Sequence, residues 1–283
     1  MKQSFLLLLC AAFGYISTAQ VSVGKPEDVK HFLTTKTIVF LHDNMTSEYN
    51  GYIKSAVDKY WKITPYEFKT YSKEVFDELR KDTSLSFLKL NTMLYPNDDV
   101  KAPYYFLSVV LGGKYKLIPD MPDIASIPMS YVEGEEPSYA YKTAMLVKFL
   151  HAHLTLIKDQ PKLKQSKVMK LYKKKMPEIK SKTLYLIADE LGKDIDTQEK
   201  IAQVYKSPFK IVSREEAFAA IEKEDNNVVI MHKVGPAGSK KKARCYKIAM
   251  NAGNGSLYNL NWHMISADKP DGITAKDLKA LGK

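Results

Sequence analysis

Two sets of residues in this 283-residue chain have the types and spacing to act on another molecule. The first is His42-Asp43-Asn44, which follows a β-branched and aromatic run at 37–41. An imidazole beside a carboxylate is acid/base equipment. A similar run at 183–187 leads into Asp189-Glu190. Ligands of open α/β sheets collect beyond the carboxyl ends of the parallel strands, which is where His42, Asp43 and Asp189 are expected. An aspartate in that position more commonly ends a strand by bonding to nearby backbone. Ala188 stands where His42 has its counterpart, so any chemistry built on the histidine belongs to one run alone.

The second set is cationic. Between 159 and 182 there are nine lysines, Lys170, Lys173, Lys174 and Lys175 among them, against Asp159 and Glu178, a net +7. The turn Lys240-Lys241-Lys242-Ala243-Arg244 adds +4. The formal net charge of +11 therefore resides almost wholly in two short segments on a near-neutral body. One expectation is a solvated helix, with Val168, Met169, Leu171 and Tyr172 packed on the body and the lysines facing water. The functional alternative is attraction to an anionic surface such as lipid headgroups, lipopolysaccharide or acidic glycan. Nucleic acid is disfavoured, because base-stacking aromatics are not interleaved with the lysines.

Other chemistries lack their residues. There is no Gly-x-Ser-x-Gly elbow, no His-Glu-x-x-His and no phosphate loop. His151 and His153 are two apart on a helical pattern and point to different sides, so they make no joint metal site. His263 reads as an ordinary sheet residue beside Trp262, and Cys245 as a small hydrophobe in a strand. Asn251-Ala-Gly-Asn-Gly255 runs between two strands and reads as a hairpin turn. No cofactor or metal site is expected.

The elements that position these residues come in two copies. Thr-Lys-Thr at 35–37 and Ser-Lys-Thr at 181–183 precede the two apolar runs. Trp61-Lys62 then matches Tyr205-Lys206, Pro65-Tyr66 matches Pro208-Phe209, Phe76 matches Phe218, and Tyr105 with Gly112 matches Tyr246 with Gly253. The offset drifts from 146 to 141, as small loop deletions in one copy produce. Each copy reads as strand, helix, strand, helix, strand, hairpin and closing helix. In the first, a helix carries Ile53, Val57, Tyr60 and Trp61 on one face, with Ser47 as its cap. Strands at 66–71 and 85–90 follow, then a hairpin of 104–111 with 115–118 around Gly112-Gly113, and a long helix from 138 to 158. In the second, Asp196 with Glu199 and Ser213 with Glu216 form capping boxes. Strands at 209–212 and 228–234, a hairpin of 245–252 with 257–265, and a helix at 274–280 follow. The expected fold is α/β with α+β character. It consists of two tandem β-α-β-α-β-β-β-α units at 20–158 and 183–283, each a mixed sheet with helices packed on it, joined by the lysine-rich connector 159–182. This order is compatible with thioredoxin-like sheets, but no Cys-x-x-C follows either first strand, which removes dithiol redox chemistry.

Residues 1–19 read as a signal peptide: Lys2, an apolar run at 5–16, then Ser17-Thr18-Ala19 before the cut. Leu9 stands before Cys10 where a lipoprotein has a small residue, which argues against lipidation there. Cleavage leaves Cys245 as the one cysteine, so no intramolecular disulfide is expected, and no later segment is expected to span a membrane. Export to the periplasm or beyond, in a Gram-negative envelope, fits this pattern. With 45% hydrophobic residues the remainder can fill a sizeable core. The leading expectation is a non-catalytic envelope protein whose duplicated module binds a protein partner or an anionic surface. The alternative is a hydrolase or transferase using His42 and Asp43. Intact-mass measurement on protein from its native host should give a chain beginning at Gln20; a species retaining Met1, or a lipid on Cys10, would refute cleavage after Ala19.

Overall fold

The structure is a computed structural model describing residues 21–99, 103–131 and 134–283; the signal-peptide expectation and Cys10 lie outside them. A short helix α1 (Pro26–Phe32) leads into β1 (Lys36–Leu41), α2 (Glu48–Tyr60), β2 (Tyr66–Thr70), α3 (Lys73–Leu79), β3 (Leu85–Met93), β4 (Tyr104–Leu111) and β5 (Asp123–Tyr131). Two 3-10 turns precede α4 (Thr143–Asp159), and α5 (Gln165–Lys174) crosses to the second unit. There β6 (Thr183–Ile187), α6 (Gln198–Val204), β7 (Phe209–Val212), α7 (Arg214–Glu222), β8 (Val228–Val234), β9 (Arg244–Asn251), β10 (Leu257–Met264) and α8 (Ala275–Leu281) follow.

The two units have one topology. The first sheet runs β2-β1-β3-β4-β5 and the second, read from the same edge, β7-β6-β8-β9-β10. Three parallel strands are followed by two antiparallel ones in both. Because the second strand lies to one side of the first and the third to the other, successive helices fall on opposite faces. Ile53 and Val57 of α2 pack with Val39 and Leu41 on one face, and Phe76 of α3 packs with Phe40 and Phe87 on the other. Trp61 and Tyr205 each follow the last residue of the first helix and are buried, as the repeat requires. Gly112 and Gly253 share a physical reason. A Cβ at Gly112 would meet the Asp82 carbonyl at 2.2 Å, and one at Gly253 the Glu224 carbonyl at 2.5 Å. In both copies the chain leaving the fourth strand passes directly over the loop that enters the third.

Several boundaries differ from expectation. The partner of β4 is Asp123–Tyr131, not 115–118. Pro119 and Pro122 break up the short apolar run, while the strand that does pair carries Pro128 at a register shift on the sheet edge, where a missing N–H is tolerated. The helix expected from 138 begins as 3-10 turns and becomes α-helical only at Thr143. The Ser213–Glu216 capping box is present, but α6 is capped by Thr197, whose hydroxyl accepts from the Lys200 amide. Asp196 pairs instead with the Lys200 ammonium at 2.6 Å, a favourable spacing of four residues.

The units share a core. Helix α4 packs with α2 against the first sheet, and its other side meets Ile230, Ile248 and Met250 of the second. Tyr52 of α2 and Phe218 of α7 meet edge to face at 5.3 Å across the same layer. Beyond the second sheet lies a separate layer with α6 and α8, where Leu184, Met231 and Leu278 pack together. Changing Gly112 to Ala should destabilise the protein by about 1–3 kcal/mol, since backbone must move to admit the methyl group. Gly51→Ala, on α2 with open space around it, should stabilise by up to about 1 kcal/mol. Thermal or urea unfolding of the two variants checks both signs.

Candidate functional site

At the carboxyl ends of β1 and β3, where the strand order reverses, a cavity of about 530 Å³ opens on the surface. His42 and Asp43 line it, so the strand-end position expected from the sequence is a real concavity. Asp43 is exposed. His42 is half-buried and stacks on Tyr49 at 4.7 Å. Its Nδ1 lies 3.2 Å from the Ser47 hydroxyl, which donates to Glu136 at 2.5 Å. Burial lowers the imidazole pKa, against the opposing pull of Glu136 and Asp43. The serine proton thus points to the carboxylate rather than to the imidazole, so the three side chains do not form a base-activated nucleophile. Glu136 also accepts from the Tyr49 amide at 2.6 Å. A carboxylate distant in sequence therefore fills the first turn of α2, where Ser47 alone was expected to cap.

The most unusual group in this cavity was not legible in the sequence. Lys89 is only 7% exposed, although it belongs to a strand whose pattern reads as apolar core. It shares a sheet face with Phe87, and its ammonium lies 5.1 Å from the Phe76 ring centre and 5.7 Å from that of Tyr71. It donates to the Asn91 side-chain oxygen at 2.8 Å and approaches the Leu90 carbonyl at 3.3 Å. Among the described residues no carboxylate pairs with it. Burial lowers its pKa to about 8.

The buried lysines in and facing the second unit are treated differently. Lys142 pairs with Glu190 at 3.0 Å, Lys233 with Asp271, and Lys247 with Asp277 at 3.0 Å. Glu190 also accepts from the Lys233 amide at 3.0 Å. The strand-end candidate Asp189 is held by Arg214 at the start of α7. A cavity of about 640 Å³ lies here between the units, lined by Lys142, Glu190, Asp189, Arg214 and Lys233. Its buried cations already have protein anions.

The basic segments form two separate patches. On α5, Val168, Met169 and Tyr172 are buried, while Lys167, Lys170, Lys173, Lys174 and, just beyond, Lys175 are exposed. Among the described residues none of these five pairs with a carboxylate. The helix is pinned from below. Tyr172 lies 2.7 Å from His153 Nδ1, and His153 Nε2 lies 2.7 Å from the Ser22 carbonyl. Burial lowers the His153 pKa to about 4, so the ring is neutral. Since a carbonyl can only accept, Nε2 carries the proton and Nδ1 accepts from the Tyr172 hydroxyl. Lys240, Lys241 and Lys242 are exposed at the start of β9. The far end of that hairpin rests on α4, where Lys148 donates to the Gly253 carbonyl at 2.6 Å, and α4 carries Phe149, on which Tyr172 packs. One strand length, about 23 Å, thus separates the lysine turn from the hairpin end that shares α4 with α5. Arg244 is not a free surface cation. Its guanidinium stacks 3.6 Å above Tyr95, lies 5.0 Å from Trp262 and faces Asp98 at 3.5 Å.

Cys245 is fully buried, and burial pushes its thiol up to about 12, in keeping with a packing role. Among the described residues no cluster of His, Cys, Asp and Glu is arranged to hold a metal, and no helix is long and apolar enough to cross a membrane. No known family, curated protein or solved structure matches the chain.

Lys89 has a measurable signature. Because folding lowers its pKa from 10.5 to about 8, the unfolded chain holds more protons across that interval. Stability should therefore rise with pH between those values, by about 3 kcal/mol in total. Lys89→Met should be more stable than wild type near pH 7 by about 1–3 kcal/mol. The gap between variant and wild type should narrow toward pH 10.5 in urea unfolding; a variant less stable at every pH would contradict this account.

Proposed function

We propose that this is an exported binding protein that docks on an anionic envelope surface through the lysine face of α5. The observation that carries the proposal is the disposition of that helix. Its apolar side is locked to the body by Val168, Met169 and Tyr172, so the cations are held on one outward face, and among the described residues no carboxylate pairs with them. Solvent-exposed charge fixed in this way adds up toward a charged plane such as lipid headgroups, lipopolysaccharide or acidic glycan. A hydrolase or transferase centred on His42 and Asp43 has less support. The Ser47 hydroxyl near His42 is turned toward Glu136, and Asp43 stands exposed at the rim.

Each lysine near an anionic membrane contributes on the order of 1 kcal/mol. Replacing Lys173, Lys174 and Lys175 together by Gln should weaken binding to vesicles rich in anionic lipid by roughly a hundredfold at low salt. Stability should change by less than about 0.5 kcal/mol. Wild-type binding should itself fall steeply as salt rises toward about 0.1 M. The matching change at Lys240, Lys241 and Lys242, on a patch of its own, should weaken binding less than tenfold. Cosedimentation measures all three, and undiminished binding by the α5 variant would refute docking through this helix.

A further inference from the structure

Beyond the lysine face of α5, with which it shares no residue, the strand-end cavity of the first unit has the attributes of a ligand site. We infer that it binds a small monocarboxylate with an aromatic or branched apolar body, the carboxylate pairing with Lys89. Three observations converge on this ligand. The first is charge. Every other buried lysine described above has a carboxylate within 4 Å, including Lys148, which lies 3.9 Å from Glu224. Among the described residues Lys89 has only a side-chain amide, a backbone carbonyl and two aromatic faces. An ammonium so placed lacks the anion that normally accompanies burial, and it lines a cavity from which an anion can reach it.

The second observation is shape and polarity. A cavity of about 530 Å³ lies within the range that holds small ligands. Phe40, Leu41, Tyr49, Tyr71, Leu90 and Tyr105 give its walls an apolar and aromatic part, beside threonine and serine hydroxyls. Tyr71 is 39% exposed, and its ring meets Phe40 edge to face at 5.4 Å, which leaves an aromatic surface open to a ligand. Met45, on the loop after β1, and Leu94, just after β3, are 97% and 61% exposed at the same end of the sheet.

The third observation excludes the ligand that this topology most often holds. Phosphates at such strand ends are bound by the amides of the following helix. Here the first turn of α2 is already filled, because Glu136 takes the Ser47 hydroxyl and the Tyr49 amide. The remaining charges lining the cavity are Lys73, which is paired with Asp77 at 2.7 Å, His42, whose pKa is lowered by burial, and the exposed Asp43. One buried cation without an arginine fork suits a single negative charge.

The test uses phenylacetate, with phenylacetamide and inorganic phosphate as matched probes, on the full mature chain by calorimetric titration. Phenylacetate should bind wild type about 10- to 100-fold more tightly than Lys89→Met, the factor that one charge-assisted pairing supplies. Phenylacetamide and phosphate should bind wild type at least tenfold more weakly than phenylacetate. In a second measurement, wild type carrying 13C-methylated lysines should show the Lys89 resonance moving with phenylacetate while those of Lys173, Lys174 and Lys175 stay fixed. The inference is overturned if phenylacetate binds the variant as well as wild type, if the amide or phosphate matches it, or if the Lys89 resonance does not move. The Lys173, Lys174 and Lys175 to Gln variant should keep full phenylacetate affinity, so failure of the docking surface and failure of the cavity are read separately.

Discussion

Over its first two turns α4 has almost no solvent face. Thr143, Met145, Leu146, Val147, Lys148, Phe149 and Leu150 are all buried. A helix apolar on nearly every side must be enclosed by other elements, and here two sheets enclose it. One side completes the layer that α2 begins over the first sheet, and the other supplies a lid for the inner face of the second. The relative placement of the units follows from this. Separating them would expose a contiguous apolar surface on α4 together with the face of β8 and β9 that it covers. The duplicated halves therefore use their helices asymmetrically. In the first unit the shared layer contains α2, the first crossover helix, whereas in the second it contains α7, the second crossover helix. Each sheet offers opposite faces of the same topology to one common core.

That shared layer also governs where charge is buried. Lys148 must emerge from the middle of α4, and it does so by resting 4.5 Å over the Tyr60 ring and bonding the Gly253 carbonyl. Lys142, one residue before the helix, is buried against Glu190 of the second unit. Burial lowers its pKa while the Glu190 carboxylate works in the opposite direction. These contacts fix orientation between the halves more than they add stability, because desolvating both charges offsets much of their attraction. Lys89 departs from the pattern, since the elements packed around it provide aromatic rings and an amide instead of a carboxylate.

The same rigidity explains how a basic segment becomes a surface. In isolation, ten residues rich in lysine would not hold a helix, because nucleation is costly and like charges repel. Packing of Tyr172 on Phe149, at 5.8 Å, and its bond to His153 supply what propensity does not. His153 in turn holds the Ser22 carbonyl, so the chain entering the fold, α4 and α5 are tied at one neutral imidazole.

The order and type of nearly every element could be read from the sequence, because local rules write them there. Apolar runs at 37–41 and 183–187 could only be buried strands, Ser213 and Glu216 marked a helix start, and the collinear pairs from Trp61 and Tyr205 to Gly112 and Gly253 made the duplication visible. The amphipathic character of α5 was equally local, since Val168, Met169 and Tyr172 repeat at helical spacing among the lysines. Choices that depend on partners distant in the chain were not readable. The segment at 115–118 was expected to pair with β4, whereas Asp123–Tyr131 does so, with Pro128 at a register shift on the sheet edge. Glu136 caps a helix whose first residue lies 88 positions earlier, which no window of sequence contains. Lys89 looked like one polar residue in a strand, and His42 and Asp43 like a turn. Their convergence on one cavity needed β1 and β3 to lie side by side with their ends open. Sequence determines which residues seek burial and at what period; tertiary structure decides which charges find a counter-charge, because that depends on neighbours the chain brings together only when it folds.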